Sequence, residues 1–304
     1  MQLPCAASNA TVLGVAFAAI VFAAAQSVPE QHPPDALELL RNVEATYAAM
    51  GTYSGKSTHV MDMSGPSMQN KMEIATTIAA DSSGRFRIES TGMMDMLMVS
   101  DGTTMWMYMP QLNQYSRFSA AQAQAAASGG RTDASEAAAA VSSEGGMGMF
   151  GSGNPLYGYR SLSSNVKDAE ILRSEKLHVG GSDMDCWVVL VEYEFPAGSP
   201  AHRTMEAHSD KATMGFSFEP ARTKTLWVDK ARYLIYQEDS TSKMTMPGAS
   251  GPINTRDTVK FESITVDEPI SPEVFTFTPP AGATEMDTSK EIERIKRLQK
   301  TTPN

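Results

Sequence analysis

Apolar and polar positions fall into three textures along the chain. After Pro33 and Pro34, Leu37, Leu40, Val43, Tyr47 and Met50 recur at helical spacing. Asp35 stands where an N-cap belongs, and Gly51 can end the helix. From Tyr53 to Phe118 the pattern changes to short β-prone runs broken at Met63-Ser64-Gly65-Pro66, at Asp81-Ser82-Ser83-Gly84 and at Asp101-Gly102. This predicts a succession of antiparallel hairpins. Strands are predicted again over Ile171–His178 and Asp185–Tyr193, around Gly180-Gly181. Further strands are expected over Thr223–Val228 and Tyr233–Asp239, turning at Asp229-Lys230, and over Thr258–Thr265. The segment from Phe195 to Lys211 reads as a long polar loop, and Pro272 to Pro280 as a closing unit bearing Val274, Phe275 and Phe277.

The remaining stretches set the domain organisation. Val12 to Ala25 is an apolar run ending in Ala23-Ala24-Ala25, with Glu30 the first charged side chain. A helix needs about 20 apolar residues to span a bilayer, so residues 1–25 are expected to be a signal peptide cut after Ala25, with the mature protein in the periplasm. The segment before that run, Met1 to Thr11, carries no Lys or Arg. Residues 119–153 are rich in Ala, Ser and Gly and poor in large apolar side chains, and read as a flexible insert. Residues 26–285 are then one domain carrying that insert, and 286–304 a charged helix or tail, with its helix over Ser289 to Lys300.

Composition narrows the function classes. The 304 residues carry a formal net charge of −10, the wrong sign for neutralising phosphates, so nucleic acid is not an expected partner. Cys5 precedes the apolar run and Cys186 alone remains after it, so the mature fold has no internal disulfide and Cys186 is expected to be a buried strand residue. The segment Gly146-Met147-Gly148-Met149-Phe150-Gly151 has the spacing of a dinucleotide-binding loop but lies inside the insert, with no strand before it and no helix after it. His32, His59, His178, His202 and His208 show no zinc-ligand spacing with the single cysteine. No catalytic residue, metal site or cofactor is assigned, and the chain reads as a non-enzyme.

Methionine is the unusual signal, with 21 in the chain. Met94, Met96 and Met98 alternate along one predicted strand, and Met105, Met107 and Met109 along the next. Each trio therefore shares a sheet face. If Asp101-Gly102 is the turn, Met98 opposes Met105, Met96 opposes Met107 and Met94 opposes Met109. Three readings follow: an ordinary core face, a deformable apolar surface for acyl chains, or, with His59, Met61 and Met63 nearby, thioether ligands for Cu(I). The last ranks third, because Leu97, Trp106 and Tyr108 alternate with the methionines as strand residues do, and no His stands among them.

The stretch from Leu97 to Pro110, a hydrophobic strand, then Ser100-Asp101-Gly102, then Trp106-Met107-Tyr108-Met109-Pro110, resembles the LolA-type lipoprotein carriers. So do Gly84-Arg85-Phe86-Arg87-Ile88-Glu89, Leu226-Trp227-Val228-Asp229 with Tyr233-Leu234-Ile235, and Phe275-Thr276-Phe277-Thr278-Pro279-Pro280. The likeness spans most of Asp35 to Pro280. It implies a mainly β (α+β) fold, an open antiparallel half-barrel with an N-terminal helix and covering helices around an apolar cavity. It also implies non-covalent binding of the acyl group of a lipid or lipoprotein, with inner- or outer-membrane lipoprotein-sorting proteins as partners. Phe86 falls where the carriers have a cavity phenylalanine, and Ile88 shares its face. The ligand-binding set is thus Phe86, Ile88, Met94, Met96, Met98, Met105, Met107 and Met109. The family's lid-latching arginine has no counterpart, since Ala80 to Ser83 stand at its place. An envelope protein-binding module without lipid cargo is the alternative function.

Overall fold

The computed structural model describes residues 33–66, 68–92, 95–119, 158–194, 217–219, 221–245 and 250–286. The expected signal peptide, the polar loop from Phe195 to Lys211, the C-terminal helix from Ser289 to Lys300 and, apart from Ser119, the insert fall outside the described residues. Helix α1 spans Ala36–Ala49, and the Asp35 carboxylate accepts a hydrogen bond from the Glu38 amide at 2.9 Å, satisfying one of the orphan donors of the first turn. Leu39, Leu40, Val43 and Tyr47 form its buried stripe. The helix ends on Met50 in an extended conformation, so Gly51 is no left-handed cap; its amide instead donates to Asp267 Oδ1 at 2.7 Å.

The strands are β1 (Thr52–Gly65), β2 (Met68–Asp81), β3 (Arg85–Thr91), β4 (Met96–Asp101), β5 (Thr104–Met109), β6 (Gln114–Ser119), β7 (Val166–Val179), β8 (Ser182–Tyr193), β9 (Ser217–Glu219), β10 (Thr223–Asp229), β11 (Ile235–Thr245), β12 (Ile253–Val266) and β13 (Thr284–Glu285). Among the described residues they make one sheet, in the order β13-β6-β5-β4-β3-β2-β1-β12-β11-β10-β8-β7, with β9 pairing β11 to the side. All the long pairs are antiparallel, and only the two-residue β13 runs parallel, beside β6. The end strands β13 and β7 do not pair with each other, so the sheet is open. Consecutive hairpins build β1 to β6, while β12 returns along β1 from about 200 residues away, as the pair Thr58 and Lys260 illustrates.

Several turns carry the conformations their sequences predict. Gly180 and Gly181 both take positive φ, +58° and +84°, as a two-residue hairpin between Val179 and Ser182 requires. The turn between β4 and β5 differs from expectation. Gly102 has φ +90°, and Asp101 Oδ1 accepts from the amides of Thr103 and Thr104 at 2.8 and 2.7 Å. The two central residues are therefore Gly102-Thr103, with glycine first, and not Asp101-Gly102.

One face of the sheet is covered by α1, which packs with Tyr53, Ile78, Ala80, Ile88, Met96, Met98, Val189, Leu226 and Tyr236 in a continuous core. A one-turn helix at Tyr159–Ser161 joins it, with the Tyr159 ring edge-on to Tyr47 at 5.0 Å. The opposite face of β3 and β4 is covered by the short helical turn Pro272–Phe275, under which Val99 is wholly buried. Cys186 is a free, buried residue of β8, as its position in a strand pattern implied.

Candidate functional site

The face beneath α1 is the inner face, and strand pairing places its side chains in rows. One row runs Ile78, Ile88, Met98, Met107 and Ser116 across β2 to β6. Beside it run Ala80, Phe86, Ser100, Met105 and Phe118 on one side, and Thr76, Ser90 and Met96 on the other. Phe86, Ile88, Met96, Met98 and Met107 are thus gathered on one patch, and all five belong to the core under α1 or pack against it. Ile88, Met96 and Met98 are buried, whereas Phe86, Met105, Met107 and Met109 are half-buried. Met94 lies outside the described residues.

The methionine register differs from the sequence expectation. Met98 opposes Met107 rather than Met105, and Met105 opposes Ser100. The cause is the turn: closing the hairpin on Gly102-Thr103 moves the pairing by two residues. A shift of two keeps every side chain on its face, where a shift of one would have turned each methionine over. Met96, Met98, Met105 and Met107 thus keep a common face with different neighbours.

The inner face is not uniformly apolar. Ser57, Thr76 and Ser90 stand side by side on β1, β2 and β3, all buried, and Thr76 Oγ1 lies 3.3 Å from Ser90 Oγ. Nearer α1, Tyr47 Oη accepts from the Ile235 amide at 3.2 Å, and Tyr159 Oη donates to Glu238 Oε2 at 3.3 Å. Burial pushes the phenols of Tyr47, Tyr53 and Tyr159 upward, so all three stay protonated. Burial, with Asp229 and Asp185 adding to it, pushes the Cys186 thiol up to about 12, which leaves it a poor nucleophile.

Next to this tyrosine cluster the sequence reading missed a buried pair. His59 Nε2 lies 3.0 Å from Asp257 Oδ1, and the imidazole is only 5% exposed. No local pattern announces it, since the two residues are 198 apart and meet only through the pairing of β1 with β12. The turn at Ala80 to Ser83 is also defined. Asp81 binds Ser83 and Arg85 in a tight clip, and Arg85 stacks its guanidinium 4.9 Å from the centre of the Phe275 ring. The nearest arginine is therefore engaged on the outer side.

No protein-family model matches the chain, nor does any curated protein. Among solved structures, a LolA superfamily protein from Nitrosomonas europaea is similar at 12% identity and a TM-score of 0.29, over 81% of this chain and 99% of that one. The Mycobacterium tuberculosis lipoprotein LppX is similar at 8% identity and a TM-score of 0.39, over 79% and 99%. The Pseudomonas aeruginosa MucA/MucB complex is similar at 11% identity and a TM-score of 0.35, over 80% of this chain and 62% of that one. At such scores these likenesses bear on neither cargo nor partner. Helix α1, the run of hairpins that follows it, and an antiparallel sheet left open at both ends give this chain the mainly β, open architecture that the sequence led one to expect.

Proposed function

We propose that the chain is a non-enzymatic carrier or sensor of the bacterial periplasm, which holds the acyl group of a lipid or lipoprotein between α1 and the inner face of β3 to β5. The observation that carries this reading is the row Ile88, Met98 and Met107, flanked by Phe86 and Met96, on the face that α1 covers. Acyl chains gain about 0.8 kcal/mol for each methylene removed from water. Methionine side chains have three rotatable bonds and a polarizable thioether, so they can rearrange around chains of different shape. The buried hydroxyls of Ser57, Thr76 and Ser90 lie at the border of the patch, where the polar end of a cargo finds donors and acceptors.

The test is to isolate the protein from its own envelope, extract it with organic solvent, and weigh the intact complex by native mass spectrometry. Copurifying lipid or an acylated protein at a fixed ratio is the expected result. A chain that carries no lipid but retains a protein through purification would replace this reading with that of an envelope protein-binding module.

A further inference from the structure

We propose that the inner face of β1 and β2 carries a Cu(I) site formed by His59 Nδ1 and the thioethers of Met61 and Met72, with Asp257 orienting the imidazole. The proposal concerns a different part of the sheet from the acyl patch and does not depend on it.

His59 and Met61 are two residues apart on β1, so they share a face, about 6.5 Å apart along the strand. Met72 of β2 is the direct partner of Met61 on one side, and Asp257 of β12 is its partner on the other. Directly paired residues have Cβ atoms about 5 Å apart, within reach of a methionine side chain. Four side chains therefore converge on one region of the inner face.

The state of the imidazole points to a ligand there. A carboxylate oxygen accepts, so the 3.0 Å contact is made by an Nε2–H that donates to Oδ1. In the neutral ring, Nδ1 is then left with a lone pair. That atom is buried and has no hydrogen-bond partner among the described residues. Buried polar atoms without partners are uncommon and costly; of its strand neighbours on this face Met61, Ile74 and Val259 have no proton to offer, and the Ser57 hydroxyl makes no hydrogen bond to it. A metal ion satisfies the atom.

The arrangement also follows the usual form of a ligating histidine, with one ring nitrogen on the metal and the other donating to a carboxylate. Thioethers select soft ions, Cu(I) first, and disfavour Mg²⁺ or Ca²⁺. Among the described residues no three His, Cys, Asp or Glu side chains gather in a way that suits a harder cation. From the sequence, copper ranks third, with His59, Met61 and Met63 near the methionines from Met94 to Met109; the site proposed here keeps His59 and Met61 and draws its further thioether from Met72 across the β1–β2 pairing.

The experiment is an anaerobic titration of the full-length protein with Cu(I) against a chromophoric Cu(I) chelator. Wild type, the double variant Met61→Leu/Met72→Leu, His59→Gln and Asp257→Asn would be compared, with circular dichroism confirming the fold of each. Because the chain has 21 methionines, uptake alone is insufficient. One Cu(I) per chain is expected to be withheld from the chelator by wild type and released by the double variant, whose leucines preserve apolar volume. Asp257→Asn should weaken binding about 10- to 100-fold, the usual effect of removing an outer-shell partner. X-ray absorption of the wild-type complex should contain both nitrogen and sulfur scatterers, with sulfur lost in the double variant. A wild-type protein that takes up no Cu(I), or a double variant that holds it with unchanged affinity, overturns the proposal.

Discussion

Phe86 and Met96 occupy the two sides of the inner patch, one half-buried and one buried, and they separate a holding site from a plain core. A glutamate placed in a cavity that opens to a cargo can be hydrated or neutralised once the cargo is gone. The same residue in a closed core leaves an unpaired charge at a cost of about 3–5 kcal/mol, enough to unfold a marginal domain. Phe86→Glu and Met96→Glu are expected to melt cooperatively yet lose displacement of a fluorescent fatty acid. Folded variants with unchanged lipid affinity would remove these residues from the site. Asp81 makes a second residue-scale prediction. Burial alone would raise its pKa, but hydrogen bonds from Ser83 and Arg85 outweigh that and hold the carboxyl below its ordinary 3.8. A depressed folded value means the carboxylate contributes stability above the unfolded pKa and loses it as pH falls through the folded one. Asp81→Asn should therefore be less stable than wild type at pH 7, with the gap narrowing below about pH 4 as the wild-type carboxylate takes up its proton. Urea midpoints measured at both pH values check the sign. Of the inner-face residues, those set by alternation within one strand were legible beforehand, Ile88 beside Phe86 and Met96 beside Met98. The partner of His59 was not, because strand alternation says which face a residue occupies and nothing about which distant strand lies next to it.

At the scale of elements, local chemistry fixed most of what could be read. Helix α1 announced itself through Asp35 and the spacing of Leu40, Val43 and Tyr47, and it is this helix that closes the inner face. Removing its cap in Asp35→Ala leaves the Glu38 amide without its partner and should cost about 1 kcal/mol. Chemical denaturation should register that loss as a lower midpoint with an unchanged slope, since the amount of surface exposed on unfolding stays the same. A fall in slope would instead mean that α1 had come off the sheet in the native state. The hairpins were legible for the same local reason: Gly180-Gly181 and the turns after Asp81 and Asp101 carry their conformations in their own residues. The β4–β5 register was misread by two residues because aspartate followed by glycine fits two positions in a turn. As a central pair, both residues need positive φ; as a corner, aspartate accepts the amides ahead of it and glycine alone turns left-handed. Only the pairing itself distinguishes them. Strand ends ran long as well, with β12 beginning at Ile253 rather than at Thr258, because polar residues such as Asn254 and Arg256 continue a strand whose outer face is exposed.

For the whole molecule, the decisive feature is that the sheet assembles from parts far apart in the chain. β1 is held between its sequence neighbour β2 and the late strand β12, so the N- and C-terminal halves share one core. No helix among the described residues is long and apolar enough to cross a membrane. Residues 120–157 separate β6 from the Tyr159 turn that packs against α1, and they lie outside the described residues. Their sequence is dominated by Ala, Ser and Gly, which offers little apolar area to bury, whereas the strands on either side already have partners in β5 and β8. Loop-closure entropy grows only with the logarithm of length, so shortening a long connection changes stability by well under about 1 kcal/mol per halving. Deleting Ala120 to Gly151 is therefore expected to leave a cooperative thermal transition within a few degrees of wild type, with the remaining residues 152–157 bridging to the Tyr159 turn. Differential scanning calorimetry of the two proteins measures this directly. A broadened transition, or a fall in Tm of ten degrees or more, would place the segment among the packed parts of the fold; lipid copurifying with wild type but not with the deletion would give it a part in holding the cargo.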